Sequence, residues 1–405
     1  MDKKILIIAV VAVIAVVAVA AVLLMSNNNS DEPVAESDYV SLGLTNNFFP
    51  DHTCCVVAAN YSYAQNNTNE LERFLAGYYD GVNFVNEALK NPSSSDYSWL
   101  VSFSKEKVPG LTDQEIKDAL STITYLYADT SDGSLSGLKS DVASLVSGLK
   151  DVNALTKDIK DNNAFASNFV NDTYLKTAIS EKSTLTGSKA NVKVSVITGD
   201  IHQIAIHVAQ SKGYFDNYNI EVTLAGAQNG GGVATALLNG DCQLGFLGAP
   251  PATINMINNG YIDSDGVKDQ GKAYLMVARV NSEGSGLYIN ANVLDDPNAS
   301  IPTRNGTAFY TKNGNEYDVS SANAKAWGGL IMGTPGTTSI QHIQLMTLAK
   351  EMGLKTKMYT IGEKLSSDTI YYVTNLSNYQ LIITDISING GIIWEPQYQK
   401  VIQEA

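Results

Sequence analysis

The stretch Val194–Leu224, "VSVITGDIHQIAIHVAQSKGYFDNYNIEVTL", decides how the chain is read. The apolar run that ends at Gly199 predicts a strand. The spacing from His202 to Lys212 predicts a helix, and a second strand is expected from Ile220. Strand, helix and strand within roughly 30 residues are the opening unit of an α/β domain with a parallel sheet. That opening stands almost midway along a chain of 405 residues.

The alternation continues downstream. "IEVTLA", "CQLGFLG" and "AYLMVARV" predict strands, with helices expected over Val233–Asn239 and Ala252–Asn259. Asp295–Ala326 reads as irregular, with a hairpin at "YTKNGNEYDV". A second block follows: "LIMGT" as a strand, Ser339–Met352 as a helix, then "KMYTI" and "LIITDI" as strands.

Upstream the texture differs. "CCVVAA" (Cys54–Ala59) predicts a buried strand, and residues 60–180 read as nearly all helix. Leu71, Phe74, Leu75, Tyr78, Val82, Val85 and Leu89 recur at spacings of three and four. Thr112 and Glu115 form a capping box before Ile116, Leu120 and Ile123. Leu135–Ile159 repeats the helical spacing. The expected divisions are 1–25 membrane anchor, 26–38 tether, 39–180 crossover strand with helices, 181–193 linker, 194–290 one α/β lobe and 291–405 a second.

The anchor reading rests on Ile5–Met25, 21 apolar residues behind Lys3 and Lys4. As a helix this run is about 30 Å long, enough to span a bilayer core. The two lysines are expected to stay cytoplasmic, with the bulk of the chain outside the cell membrane. A cleaved signal peptide is the rival reading, since Ala20 and Ala21 are small.

A net charge of −14 argues against nucleic acid, which needs clustered cations. The three cysteines read as packing residues, too few for a disulfide framework. Alternation along a strand puts one of Cys54 and Cys55 toward the core and the other away. A bridge to Cys242 stays open. Neither a metal site nor a catalytic constellation is expected.

Three turns are candidate binding loops: "TGDIHQ" (Thr198–Gln203), "GAQNGGGVAT" (Gly226–Thr235) and "GTPGTTSIQH" (Gly333–His342). Glycines let a ligand approach the backbone, and a helix start offers unpaired N–H groups. None of these turns has Walker or dinucleotide spacing. "LGAPPATINMI" adds a tight exit from a strand. The ordinary alternatives are turn glycines, and Asp200, Thr337, Thr338 and Ser339 as plain helix caps. His202 and His342 read equally as hydrogen-bonded structural histidines.

Taken together, "HVAQSKGYFDNYNIEVTL", "GGGVATALLNGDCQLGFLGAPPATINMINNG", "GTPGTTSIQH…LMTLAKEMGL" and "IIWEPQY" resemble one family over about 200 residues. It is that of the solute-binding proteins of ABC importers for nitrate, taurine, alkanesulfonates and thiamine-pyrimidine precursors. The resemblance implies a two-lobed clamshell of the type II periplasmic-binding-protein fold. It also implies a small-molecule solute, an ABC permease with its ATPase, and no cofactor. The departure is in chain order. The segment Thr45–Val85 looks like the crossover and tail helices that follow the "WEP" motif in the family, yet here it precedes the first strand. The chain therefore reads as circularly permuted, with a fragment of a tandem array as the rival.

On this resemblance the expected ligand-binding residues are Asp200, His202, Gln203, Gly230, Gly231 and Pro250 from lobe one. From lobe two they are Thr337, Thr338, Ser339 and Trp394. Thr198–Ser211, Gly226–Val267 and Gly328–Ala349 contain no Lys or Arg. An oxyanion would therefore rest on amides and hydroxyls, with a His as a further candidate, and without a bidentate Arg. The expected solute is a nitrate- or sulfonate-like anion or a thiamine-precursor heterocycle. A membrane-anchored sensory or scaffold module is the alternative function, and a pyrimidine-synthesising enzyme a remoter one.

Overall fold

The computed structural model describes residues 38–50 and 52–404. The predicted anchor, Ile5–Met25, lies outside the described residues. Among those described, no helix is long and apolar enough to cross a membrane. The three cysteines are free and buried.

Two six-stranded mixed sheets organise the chain. The first strand, β1 (Tyr39–Leu44), belongs to one sheet, and the second, β2 (Thr53–Asn60), to the other. The sheet of β2 also takes β3 (Ile123–Tyr125), β4 (Ala190–Ile197), β5 (Ile220–Ala227), β6 (Leu244–Gly248) and β7 (Tyr274–Glu283). Its order is β3-β7-β2-β6-β4-β5. The sheet of β1 takes β8 (Ser285–Asn290), β9 (Ile331–Gly333), β10 (Lys355–Met358), β11 (Thr369–Val373) and β12 (Gly390–Trp394). Its order is β1-β8-β12-β9-β11-β10. We call the two sheets with their covering helices lobe one and lobe two.

In lobe one, β4 runs parallel to both β5 and β6. Parallel neighbours need a crossover, and the helices Ile204–Ser211 and Gly230–Asn239 supply it. β2 runs antiparallel between β6 and β7, with Val57 opposite Phe246 on one side and Ala278 on the other. Val56, Val57, Ala58 and Ala59 are wholly buried. An unbroken apolar run suits a strand covered on both faces, which is why alternation fails there. The helix Thr68–Lys90 covers this sheet, and Phe74 stacks on Phe215 with ring centroids 5.1 Å apart. Arg279 on β7 is paired with Asp129 at 2.5 Å and Asp141 at 2.6 Å, and donates to Thr53 at the start of β2.

The chain passes between the lobes twice within these strands, from β1 to β2 and from β7 to β8. At the second passage Glu283 and Gly284 have φ of 68° and 81°. This left-handed pair lets the chain leave one sheet and enter the other without a loop. A side chain at Gly284 would also collide with His202 Nε2.

Several elements differ from the sequence-based reading. The helix expected to run through Ile123 stops at Ser121, and Ile123–Tyr125 pairs with β7 as β3. The helix read over Leu135–Ile159 ends at Asp151, where Asn153 turns left-handed at φ 56°. "LIITDI" is not a strand. Asn378 caps a helix over Tyr379–Thr384 by accepting from the Leu381 amide at 3.0 Å. The strand of that region is β11, "TIYYV". Short apolar runs do not distinguish helix from strand by periodicity. β4 begins at Ala190, inside the stretch read as linker.

Because β6 and β7 share β2 as their common neighbour, residues 187–404 produced alone should fail to fold cooperatively. Co-expression with residues 38–186 should restore a soluble complex. Thermal unfolding followed by circular dichroism tests this; a sharp transition for the isolated segment would contradict the role given to β2.

Candidate functional site

A cavity of about 250 Å³ opens between the lobes, lined from both. Its walls come from one edge of each sheet. In lobe one Ile197 ends β4 and is followed by Asp200 and His202. Asn229, Gly230 and Gly231 follow β5, Gly248 ends β6, and Pro251 follows it. Lobe two contributes Pro335–Gln341 after β9, Asn375 after β11, and Trp394 at the end of β12. Carboxyl ends of parallel strands are where open α/β sheets hold ligands. β2 is antiparallel, so its beginning reaches the same edge and adds Cys54 and Cys55.

Two helix starts face this space. Asn229 caps the helix Gly230–Asn239 by accepting from the Gly232 amide at 3.1 Å. Ser339 caps Ile340–Glu351 by accepting from the His342 amide at 3.1 Å, and donates to the Gly336 carbonyl at 2.8 Å. First-turn amides have no partner within their own helix, and they carry the positive end of its dipole. Among the described residues, the lining contains no Lys or Arg.

The charged groups at the wall cancel. Asp200 Oδ1 lies 2.7 Å from His202 Nδ1 and also accepts from the His202 amide at 3.0 Å. His202 Nε2 lies 2.8 Å from the Gly284 carbonyl. Both ring nitrogens thus face acceptors, which requires the doubly protonated ring. Burial opposes that charge, but the Asp200 carboxylate, Cys54 and the two hydrogen bonds outweigh it and raise the pKa to about 9. Gly284 O also accepts from the Glu395 amide at 2.9 Å, so one carbonyl is gripped from both lobes. Burial pushes the Glu395 carboxyl up to about 7, against hydrogen bonds from Gln399 and Thr122.

Eight of the ten residues expected at the site line this cavity: Asp200, His202, Gly230, Gly231, Thr337, Thr338, Ser339 and Trp394. Gln203 does not. It is wholly buried, where its side chain accepts from the Ile197 amide and donates to the Phe246 carbonyl, tying β4 to β6. Pro250 is buried in the first turn of Ala249–Asn259, and its neighbour Pro251 faces the cavity instead. His342 is not in the lining. Its Nδ1 lies 3.1 Å from Thr334 Oγ1, and burial holds its pKa down to about 4. Asp200 and Ser339 are helix caps as well as wall residues. Cys54, Cys55, Gly336, Gln341 and Asn375 also line the cavity and are not among the ten expected residues. The glycine-rich loop already signalled Gly336, while nothing local marked Asn375. Among the described residues, no group of three or more His, Cys, Asp or Glu could hold a metal ion.

The ion pair gives stability a definite pH dependence. A His202 pKa of about 9 against an ordinary 6.5 means the folded chain binds the extra proton between those values. This contribution is complete below pH 6.5 and is lost as pH rises through 9; it is on the order of 3 kcal/mol. Glu395 has the same sign at lower pH, complete below 4.5 and gone by about 7. The melting temperature should fall between pH 7 and 9, and fall less in H202Q. An equal fall in H202Q would mean that some other group sets this dependence.

A protein-family profile described as the NMT1-like family matches residues 187–404, from just before β4 through the last helix. A search of curated proteins and a search of solved structures each find no match. Members of this family are generally non-catalytic, though some are enzymes. With more than half its length matched, the chain belongs to the NMT1-like family, a solute-binding family of ABC importers of the nitrate, sulfonate and taurine type.

Proposed function

We propose that this chain captures a small solute between its two lobes and delivers it to an ABC permease and its ATPase, without catalysing a reaction. The observation that carries the reading is the convergence of two helix starts, one from each lobe, on a single cavity. A ligand touching both favours the closed state, because it gains contacts there that the open state lacks.

The solute class follows from the walls. At about 250 Å³ the space is smaller than the ~300–1,000 Å³ typical of drug-sized ligands. It offers amide and hydroxyl donors, the Trp394 residue and, among the described residues, no uncommitted cation in the lining. That suits a singly charged oxyanion, a sulfonate, or a flat polar heterocycle. It does not suit a multiply charged phosphate, which favours Arg or Lys.

Delivery to a permease calls for an extracytoplasmic location, with Ile5–Met25 as the membrane anchor. The chain order would be permuted, with the family's crossover strand and tail helices coming first. The antiparallel position of β2 between β6 and β7 supports that order, since a strand from outside the matched segment completes its sheet.

A thermal-shift series with nitrate, taurine, an alkanesulfonate, bicarbonate and hydroxymethylpyrimidine tests the reading. A ligand at 100 times its Kd should add about 2.7 kcal/mol of stability. Gly336 offers a clean control, because a Cβ there meets nothing within 4 Å. G336L should leave the unliganded melting temperature nearly unchanged while abolishing the shift. A shift retained in G336L would move the ligand elsewhere, and no shift with any of the five would reject this solute class.

A further inference from the structure

We propose that Cys54 and Cys55 form a dithiol site, on the cavity wall, for a trivalent arsenical or a like thiophilic, three-bonded centre. Consecutive strand residues should point to opposite faces. Here they do not, because Thr53 pairs with Ser282 and Cys55 with Asn281, leaving Cys54 as an extra residue. Such a bulge cancels the alternation locally. Both residues line the cavity, and their sulfurs lie 3.6 Å apart.

This spacing favours bridging through a third atom over a direct bond. Consecutive Cα atoms are about 3.8 Å apart across a trans peptide, below the roughly 4.4 Å minimum of ordinary disulfides. From Cys55 onward β2 is paired on both edges, which fixes Cys55, while Cys54 sits at the bulge. Two sulfurs each about 2.3 Å from one atom at a tetrahedral angle lie about 3.8 Å apart, and about 4.6 Å apart around a linear ion. The observed 3.6 Å fits the bent geometry. Structural zinc needs four ligands, and among the described residues no group of three or more His, Cys, Asp or Glu is placed to hold an ion. A trivalent arsenic centre needs three bonds: two to sulfur and one to a hydroxyl or carbon.

The chemistry is a condensation without redox change. R–As(OH)₂ and two thiols give a cyclic dithioarsenite and two waters. Two As–S bonds form, two As–O bonds break, and each thiol proton leaves with a hydroxyl. Cys54 attacks first. The hydrogen bond from Cys55 makes its thiol more acidic despite burial, and the His202 imidazolium adds to this. The thiolate is the nucleophilic form.

The test uses the full chain, reduced, with phenylarsine oxide, and with arsenite as a smaller probe. Intact mass should show one phenylarsenic per chain, removed by 2,3-dimercaptopropanol. The melting temperature should rise, since the paired geometry belongs to the folded state. C54S and C55S should each bind at least tenfold more weakly, and C242S as tightly as the native chain. A melting temperature that falls would mean reaction with the unfolded chain and would overturn the proposal. So would an adduct that depends on Cys242, or tighter binding of zinc than of either arsenical. If a serine variant does not fold, peptide mapping of the native adduct decides: arsenic bridging Cys54 and Cys55 supports the site, and any other location rejects it. None of these readouts depends on the solute screen, so either proposal can fail alone.

Discussion

β2 is hydrogen-bonded along both edges, to β6 and to β7, and those two strands have no pairing with each other. The union of the parallel strands with β7 and β3 depends on this arrangement. Without β2, β7 and β3 would separate from the parallel strands, and the wholly buried run Val56–Ala59 would be lost from the core. Its antiparallel direction has a second effect. The beginning of β2, not its end, arrives at the edge where the parallel strands finish. That places Cys54 and Cys55 beside the turns that bear Asp200, Gly230 and Pro251. The family match begins at residue 187, so the strand that holds the matched sheet together comes from outside the match.

The junction between the lobes also turns on a few groups. Gly284 supplies a carbonyl that accepts from His202 of lobe one and from the Glu395 amide of lobe two. Gln341, at the start of a lobe-two helix, donates to Ser285 Oγ at 2.9 Å just beyond it. Apolar contact closes the other side of the junction, where Leu149, Ile254 and Ile343 form a cluster of their own. Lys350 pairs with Asp151 at 2.6 Å nearby, but both are more than half exposed, so screening leaves this pair little weight. The three buried aliphatic side chains, each contributing roughly 1.5–3 kcal/mol, hold this side of the junction more strongly than the ion pair does.

The sequence made the turns legible because turn chemistry is local. Glycine runs, Thr–Thr–Ser and an Asp two residues before His202 each announce a strand end followed by a helix start, and those residues do line one cavity. What it hid was set by tertiary contact. Gln203 and Pro250 stand beside cavity residues in the chain, yet their side chains are used to join strands or fill the core. The shared orientation of Cys54 and Cys55 follows from a bulge against β7, a strand more than 200 residues away. Asn375 reaches the cavity at a left-handed φ of 69°, which no local pattern announces. "LIITDI" misled because six apolar-rich residues suit either element; the cap at Asn378 decided it.

A chain of net charge −14 would repel an anion at long range, so any affinity for one must be local. His202 is not free to provide it, since its charge is already engaged by Asp200 and by Gly284 O. The remaining positive potential is that of two helix starts, each strong only within about one turn. These starts are carried by different lobes. A solute resting on one lobe therefore meets half of the available field, and the second half only when the lobes come together. On the proposed function, preference for the closed state would thus follow from where the helices begin. No charged side chain would be required for that preference.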